Sequence, residues 1–264
     1  NEASAAGLNW TFGPNVDISN DARWGRVMEG AGEDPYLGSK IAKARVMGFQ
    51  GENLSLNTTI AACAKHFAAY GYVEAGREYN MVDISHSKLY NSVLPPFKAA
   101  VDAGVRSFMN AFNTLNGIPA TGNVFLQRDI LKGDWKFDGF VVSDWASIAE
   151  MVTHGYATNG SDAAKKAVIA GSDMDMESHI YVKELVGLVK NGAVKESIVD
   201  DAVRRILKVK FELGLFDDPY KYCNEAREEA SIGSKAHNDA VLDIAKKSIV
   251  LLKNKNNLLP LKKE

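Results

Sequence analysis

The first residue placed to do chemistry is an acid that closes an apolar run. Residues 139–147 read Gly-Phe-Val-Val-Ser-Asp-Trp-Ala-Ser. Phe140-Val141-Val142 reads as a short buried strand after the turn-like Asp138-Gly139. Asp144 then stands at the strand's C-terminal lip, where α/β proteins gather the loops that bind ligands. On these nine residues alone the plainer assignment is a helix N-cap. The sharper one is a catalytic carboxylate, with Trp145 beside it to supply an apolar ring face.

Three further clusters carry comparable chemistry. Ala64-Lys65-His66-Phe67 puts a Lys and a His at the end of another apolar run. A lone buried Lys there suggests a Schiff-base enzyme such as an aldolase, whereas a Lys-His pair supplies several donors suited to hydroxyl groups. Gly76-Arg77-Glu78 follows closely enough for Arg77 to reach the same pocket, and Met109-Asn110-Ala111-Phe112-Asn113 ends a third run with amides and an aromatic ring. Arg23-Trp24-Gly25-Arg26, followed by Glu29, Glu33 and Asp34, offers guanidinium forks and an indole, with Arg23 expected in a surface ion pair. The five histidines show no metal-ligand spacing, and Asp173 and Asp175 alternate along an expected strand, so neither a metal nor another cofactor is expected. Donors for hydroxyls, indoles for ring faces and a carboxylate for an anomeric carbon are together the makings of a sugar site.

Such residues need a scaffold that brings strand ends together. Short apolar runs at 8–18, 60–67, 105–112, 137–144 and 167–176 read as strands, and the segments 37–48 and 88–103 between them read as amphipathic helices, the second interrupted by Pro95-Pro96. This alternation predicts a mostly parallel sheet covered by helices. Polar residues at several strand ends, without a Gly-x-Gly-x-x-Gly turn, favour a (β/α) barrel over a dinucleotide-binding sheet. Residues 195–213 predict one long amphipathic helix with Ile198, Ala202, Ile206 and Val209 on one stripe, ended by Gly214. A turn at 217–220, a polar stretch, a helix at 235–247 and the apolar run 249–252 follow.

The 264 residues, 46% hydrophobic and 24% charged with a formal charge of −2, are ordinary globular material with no nucleic-acid footprint. No apolar stretch is long enough to span a membrane. Cys63 and Cys223 are too few for a disulfide framework.

In chain order, Arg-Trp-Gly-Arg (23–26), Gly-Glu-Asp-Pro (32–35), Lys-His-Phe (65–67), Met-Asn-Ala-Phe-Asn (109–113), Ser-Asp-Trp (143–145) and Ala-Gly-Ser-Asp-Met-Asp-Met (170–176) together resemble glycoside hydrolase family 3, nearest its bacterial periplasmic β-glucosidase branch. The resemblance implies a (β/α)8 TIM-like barrel, incomplete at the N-terminus, over 1–216, then a linker and the beginning of a second α/β sandwich domain over 217–264. It implies a retaining exo-acting β-glucosidase in which Asp144 is the nucleophile and forms a covalent glycosyl-enzyme. Arg26, Lys65, His66 and Arg77 would bond hydroxyls of the terminal glucose, and Met109, Phe112 and Trp145 would line the pocket. The family commonly has Tyr where this chain has Phe112, which removes a hydroxyl beside the nucleophile. The acid/base Glu is expected from the second domain, after residue 264, and an early glycone-gripping carboxylate before residue 1. The loop 68–77 lacks the His-Asp pair of the β-N-acetylhexosaminidase subgroup. A β-xylosidase is the neighbouring alternative, and a non-catalytic carbohydrate-binding fragment the alternative of another class. Expected partners are a β-glucoside or oligosaccharide and the second domain, with a homo-oligomer compatible, in the periplasm or secreted.

Overall fold

A computed structural model describes residues 1–262. Its centre is a parallel sheet of β1 (Cys63–Phe67), β3 (Ser107–Asn110) and β6 (Phe140–Val142) in that order. Cys63 pairs with Ser107, and Ser107 with Phe140. Parallel bridges extend it at both sides, from Trp10 to Ala61 and Asn15 to Lys65 on one, and from Val142 to Met174 on the other. Five neighbouring segments therefore lie side by side in chain order, as right-handed crossover connections require.

These strands are buried on both faces, and their residues alternate accordingly. Ala64, Phe108 and Val141 face a cluster with Phe97, Leu126 and Leu131. Cys63, Met109, Phe140 and Val142 face the other way, against Val209 and Leu213. The α-helices are α1 (Glu2–Ala5), α2 (Pro35–Gln50), α3 (His86–Lys88), α4 (Pro95–Asp102), α5 (Ser147–Thr153), α6 (Gly160–Ala170), α7 (Ile180–Lys190), α8 (Glu196–Glu212), α9 (Glu225–Ser231) and α10 (Lys235–Ser248), of which α9 and α10 bury no residue. Asp34 caps α2, accepting the Tyr36 and Leu37 N–H groups while Pro35 takes the first turn. Pro95 and Pro96 interrupt the segment 88–103 as expected: helical turns over 89–93 end at a bend at Leu94, and the prolines open α4, whose first turn has no partner for the missing N–H groups. A small second sheet, β2 (Met81–Val82), β4 (Thr114–Leu115) and β5 (Ile118–Pro119), ties together the loops that follow β1 and β3.

Several expectations are corrected in detail. The run 8–18 contributes only the two bridges, and 167–176 begins as the last turn of α6 before its single bridge at Met174. Apolar Ala167, Val168 and Ala170 look alike in a buried helix and a buried strand, so the run alone could not separate them. Along α8, Ala202 and Val209 are buried as the stripe predicts, and Gly214 follows in the left-handed region at φ +70°. Tyr222, in the stretch expected as a linker, is buried and donates to the Thr59 carbonyl at 3.2 Å.

Candidate active site

Asp144 leaves β6 on a turn stapled to the neighbouring segment. Ser143 N–H donates to the Met174 carbonyl at 2.8 Å, Met176 N–H to Ser143 Oγ at 2.8 Å, and Ala146 N–H to the Met176 carbonyl at 3.0 Å. The helix-cap assignment fails here. The N-cap of α5 is Ala146, at φ +55°, and no side chain caps it. Asp144 Oδ1 instead accepts its own neighbour's N–H, from Trp145 at 2.7 Å. Oδ2 is buried and has no hydrogen-bond partner among the described residues. Burial raises the Asp144 carboxyl above the usual carboxylate range, while His66, the Trp145 N–H, Arg26 and Lys65 pull the other way. The carboxylate thus keeps one buried oxygen free, among cationic and imidazole groups.

His66 lies close to that free oxygen, its Nε2 3.6 Å from Asp144 Oδ2. Its other nitrogen, Nδ1, lies 2.8 Å from Asp17 Oδ2. Tyr70 joins this group: its ring meets those of His66 and Trp24 edge-on at 5.3 and 5.4 Å, and the Arg26 guanidinium lies over it at 5.5 Å. Arg26 is aimed by a two-pronged bond to Glu29, at 2.8 and 3.0 Å. Two glycines permit the assembly. A side chain on Gly71 would lie 2.1 Å from the Ile18 carbonyl oxygen, and one on Gly76, at φ +68°, would lie 2.7 Å from the Trp24 nitrogen.

The structure thus brings Asp144, His66, Lys65 and Arg26 into one electrostatic neighbourhood. Arg77 is exposed on the following loop and has no side-chain hydrogen bond or ion pair among the described residues. Met109 points into the interior cluster with Cys63 and Phe140. Phe112 stacks obliquely on Tyr79 at 4.6 Å. Trp145 is 62% exposed, an uncovered ring beside the acid. Arg23 pairs with Asp21 on the surface, as expected. The sequence reading missed Asp17, which closes the run 8–18 much as Asp144 closes its own; the strand-end rule applied there would have found it. It also missed Glu150 on α5, whose carboxyl is pushed up to about 7 by burial and by Asp144.

A buried acid, an imidazole, a lysine and a guanidinium are thus gathered at one end of the parallel sheet. Residues 1–209 match the glycosyl hydrolase family 3 N-terminal domain, and the chain belongs to that family. The periplasmic beta-glucosidase of Salmonella typhimurium is 44% identical over an alignment covering 99% of this chain and 35% of that protein. A beta-xylosidase of Formosa agariphila is 40% identical, covering 98% and 37%. A mutant beta-glucosidase from Listeria innocua in complex with laminaribiose superposes with a TM-score of 0.97 at 45% identity, covering 100% of this chain and 37% of that one. The chain spans little more than a third of the length of these relatives.

Proposed function

We propose that this chain supplies the glycone pocket and nucleophile of a retaining exo-acting β-glucosidase. The observation that carries the reading is Asp144: buried, with one oxygen free and facing His66, at the end of a strand flanked by Lys65 and Arg26. Its Oδ2 attacks the anomeric carbon of a terminal β-glucosyl unit as the aglycone leaves, and water then releases the sugar from the ester with overall retention. Arg26, Lys65, His66 and Arg77 hold the sugar hydroxyls, and bonds that tighten as the ring flattens lower the barrier. Trp145 and Phe112 wall the sugar, and Met109 underlies the floor. The acid/base, a second carboxyl about 5–5.5 Å from the first, comes from a second α/β domain that begins within 217–264. Residues 1–216 belong to the barrel domain; the run of five neighbouring parallel segments supports the barrel. The name of the Salmonella relative supports a periplasmic or secreted setting.

The test is intact mass after incubation with 2-deoxy-2-fluoro-β-D-glucosyl fluoride, whose leaving group needs little help from the acid/base. One glycosyl adduct on the peptide around Asp144 is expected. An adduct on any other residue removes Asp144 from its role, and labelling by the xylosyl analogue alone moves the substrate to that of the xylosidase relatives.

A further inference from the structure

Asp17 is among the most deeply buried acids in the chain, and its one side-chain partner is a residue of the site. It is 1% exposed, as is His66. Its Oδ2 lies 3.1 Å from the His66 backbone N–H, which donates to it, and 2.8 Å from Nδ1 of the same residue. An oxygen that already accepts the amide hydrogen is placed to accept the ring hydrogen too, so Nδ1 carries that hydrogen. The two bonds also fix the ring in rotation, since one carboxyl oxygen grips the backbone and side chain of a single residue. The nitrogen left over is Nε2. It is buried without a partner, 3.6 Å from an Asp144 Oδ2 that is equally unpartnered.

We propose that Asp17 is a positioning residue: it locks His66 in the Nδ1–H form and turns Nε2 toward the nucleophile and the sugar bound against it. The inference rests on the glucosidase reading for its consequence but not for its geometry. Histidine free in water prefers its hydrogen on Nε2, so the preference seen here is imposed by Asp17. Asn15 in turn holds Asp17, its Oδ1 accepting the Asp17 N–H at 2.9 Å. The segment 15–17 is thus a support strut behind the ring, and it does not touch the reacting atoms. Removing the carboxylate that orients a metal-ligating histidine typically costs about 10–100-fold, and we expect a loss of the same order here.

Nitrogen-15 chemical shifts of the imidazole, assigned with His66→Gln, test this in the full chain. In the wild type Nδ1 should show the protonated, pyrrole-like shift. In Asp17→Ala the unprotonated, pyridine-like shift should move onto Nδ1, and labelling of Asp144 by 2-deoxy-2-fluoro-β-D-glucosyl fluoride should slow by about 10–100-fold. Asp17→Asn can still offer an amide oxygen to both N–H groups, so it should keep the tautomer and restore much of the labelling rate. A wild-type ring without hydrogen on Nδ1 overturns the proposal, whether or not the Ala variant folds. So does an Asp17→Ala protein that changes tautomer but labels at the wild-type rate. A wild type with the expected tautomer that never labels at Asp144 supports the lock and sinks the glucosidase reading instead.

Discussion

Asp144 is a buried acid whose ionisation works against the fold that holds it. Burial raises its carboxyl, so the folded chain binds that proton more tightly than the unfolded chain, and ionising it costs stability as pH rises. Asp144→Asn keeps the shape and removes the charge. It should abolish fluoroglucosyl labelling while raising the melting temperature at pH 7, and about 1 kcal/mol would appear as roughly 2–4 °C in a chain this size. Glu150 gives a pH-dependent counterpart. Its carboxyl is held up to about 7 by burial and by Asp144, whereas the unfolded chain releases the proton near 4.5. Between those values the folded state holds more protons, so stability falls as pH rises and the loss is complete above pH 7. Glu150→Gln should therefore narrow the melting-temperature difference between pH 5 and pH 8. A variant with the wild-type difference would show that another group titrates there.

Among the elements, the sheet and the crossings behind it decide where the site residues stand. Phe67 follows His66 on β1 and packs into the apolar interior, with its ring edge-on to Phe97 and Phe108 at 5.3 and 5.5 Å and no exposed surface. Phe67→Ala should cost about 3–5 kcal/mol in urea unfolding, from lost burial plus a cavity that close neighbours cannot fill. Lys132 and Asp173 form the interior's one directly bonded Lys-carboxylate pair among the described residues, at 2.7 Å and almost without exposure. Asp173 also accepts the Val141 N–H, so the pair clamps the segment after α6 to β6 just before Asp144. Lys132→Met strands a buried carboxylate and should cost about 3–5 kcal/mol. Little loss would mean that Asp173 takes up a proton and keeps its bond to Val141.

For the molecule as a whole, packing is uneven along the chain. Residues as far as Tyr222 join the interior, whereas Val241, Leu242 and Ile244 of α10 and the run 249–252 are all exposed. Contiguous exposed apolar surface of this kind favours association between molecules. Charging it should leave the interior untouched: Val250→Lys with Leu252→Lys should keep the unfolding free energy within about 0.5 kcal/mol of the wild type and reduce self-association in sedimentation at high concentration. A large drop in melting temperature would show that the run packs on the body in solution.

What the sequence determined alone was whatever depends on short spacing. Apolar runs ending in polar residues located β1, β3 and β6, the amphipathic stripe located α8, and the ordered motifs from Arg23 to Met176 carried the family. Tertiary structure decided which polar ends face one another. Asp17 and His66 are 49 residues apart, and His66 and Asp144 a further 78; no local pattern encodes such pairings, because they arise only when parallel strands stack their C-terminal ends side by side. The exchange of helix for strand at 167–170 has the same cause, since small apolar residues fit either element until packing selects one. The orientation of His66 lay beyond the sequence for a related reason: it depends on one carboxyl oxygen reaching across from a neighbouring segment, a matter of ångströms rather than of residue order.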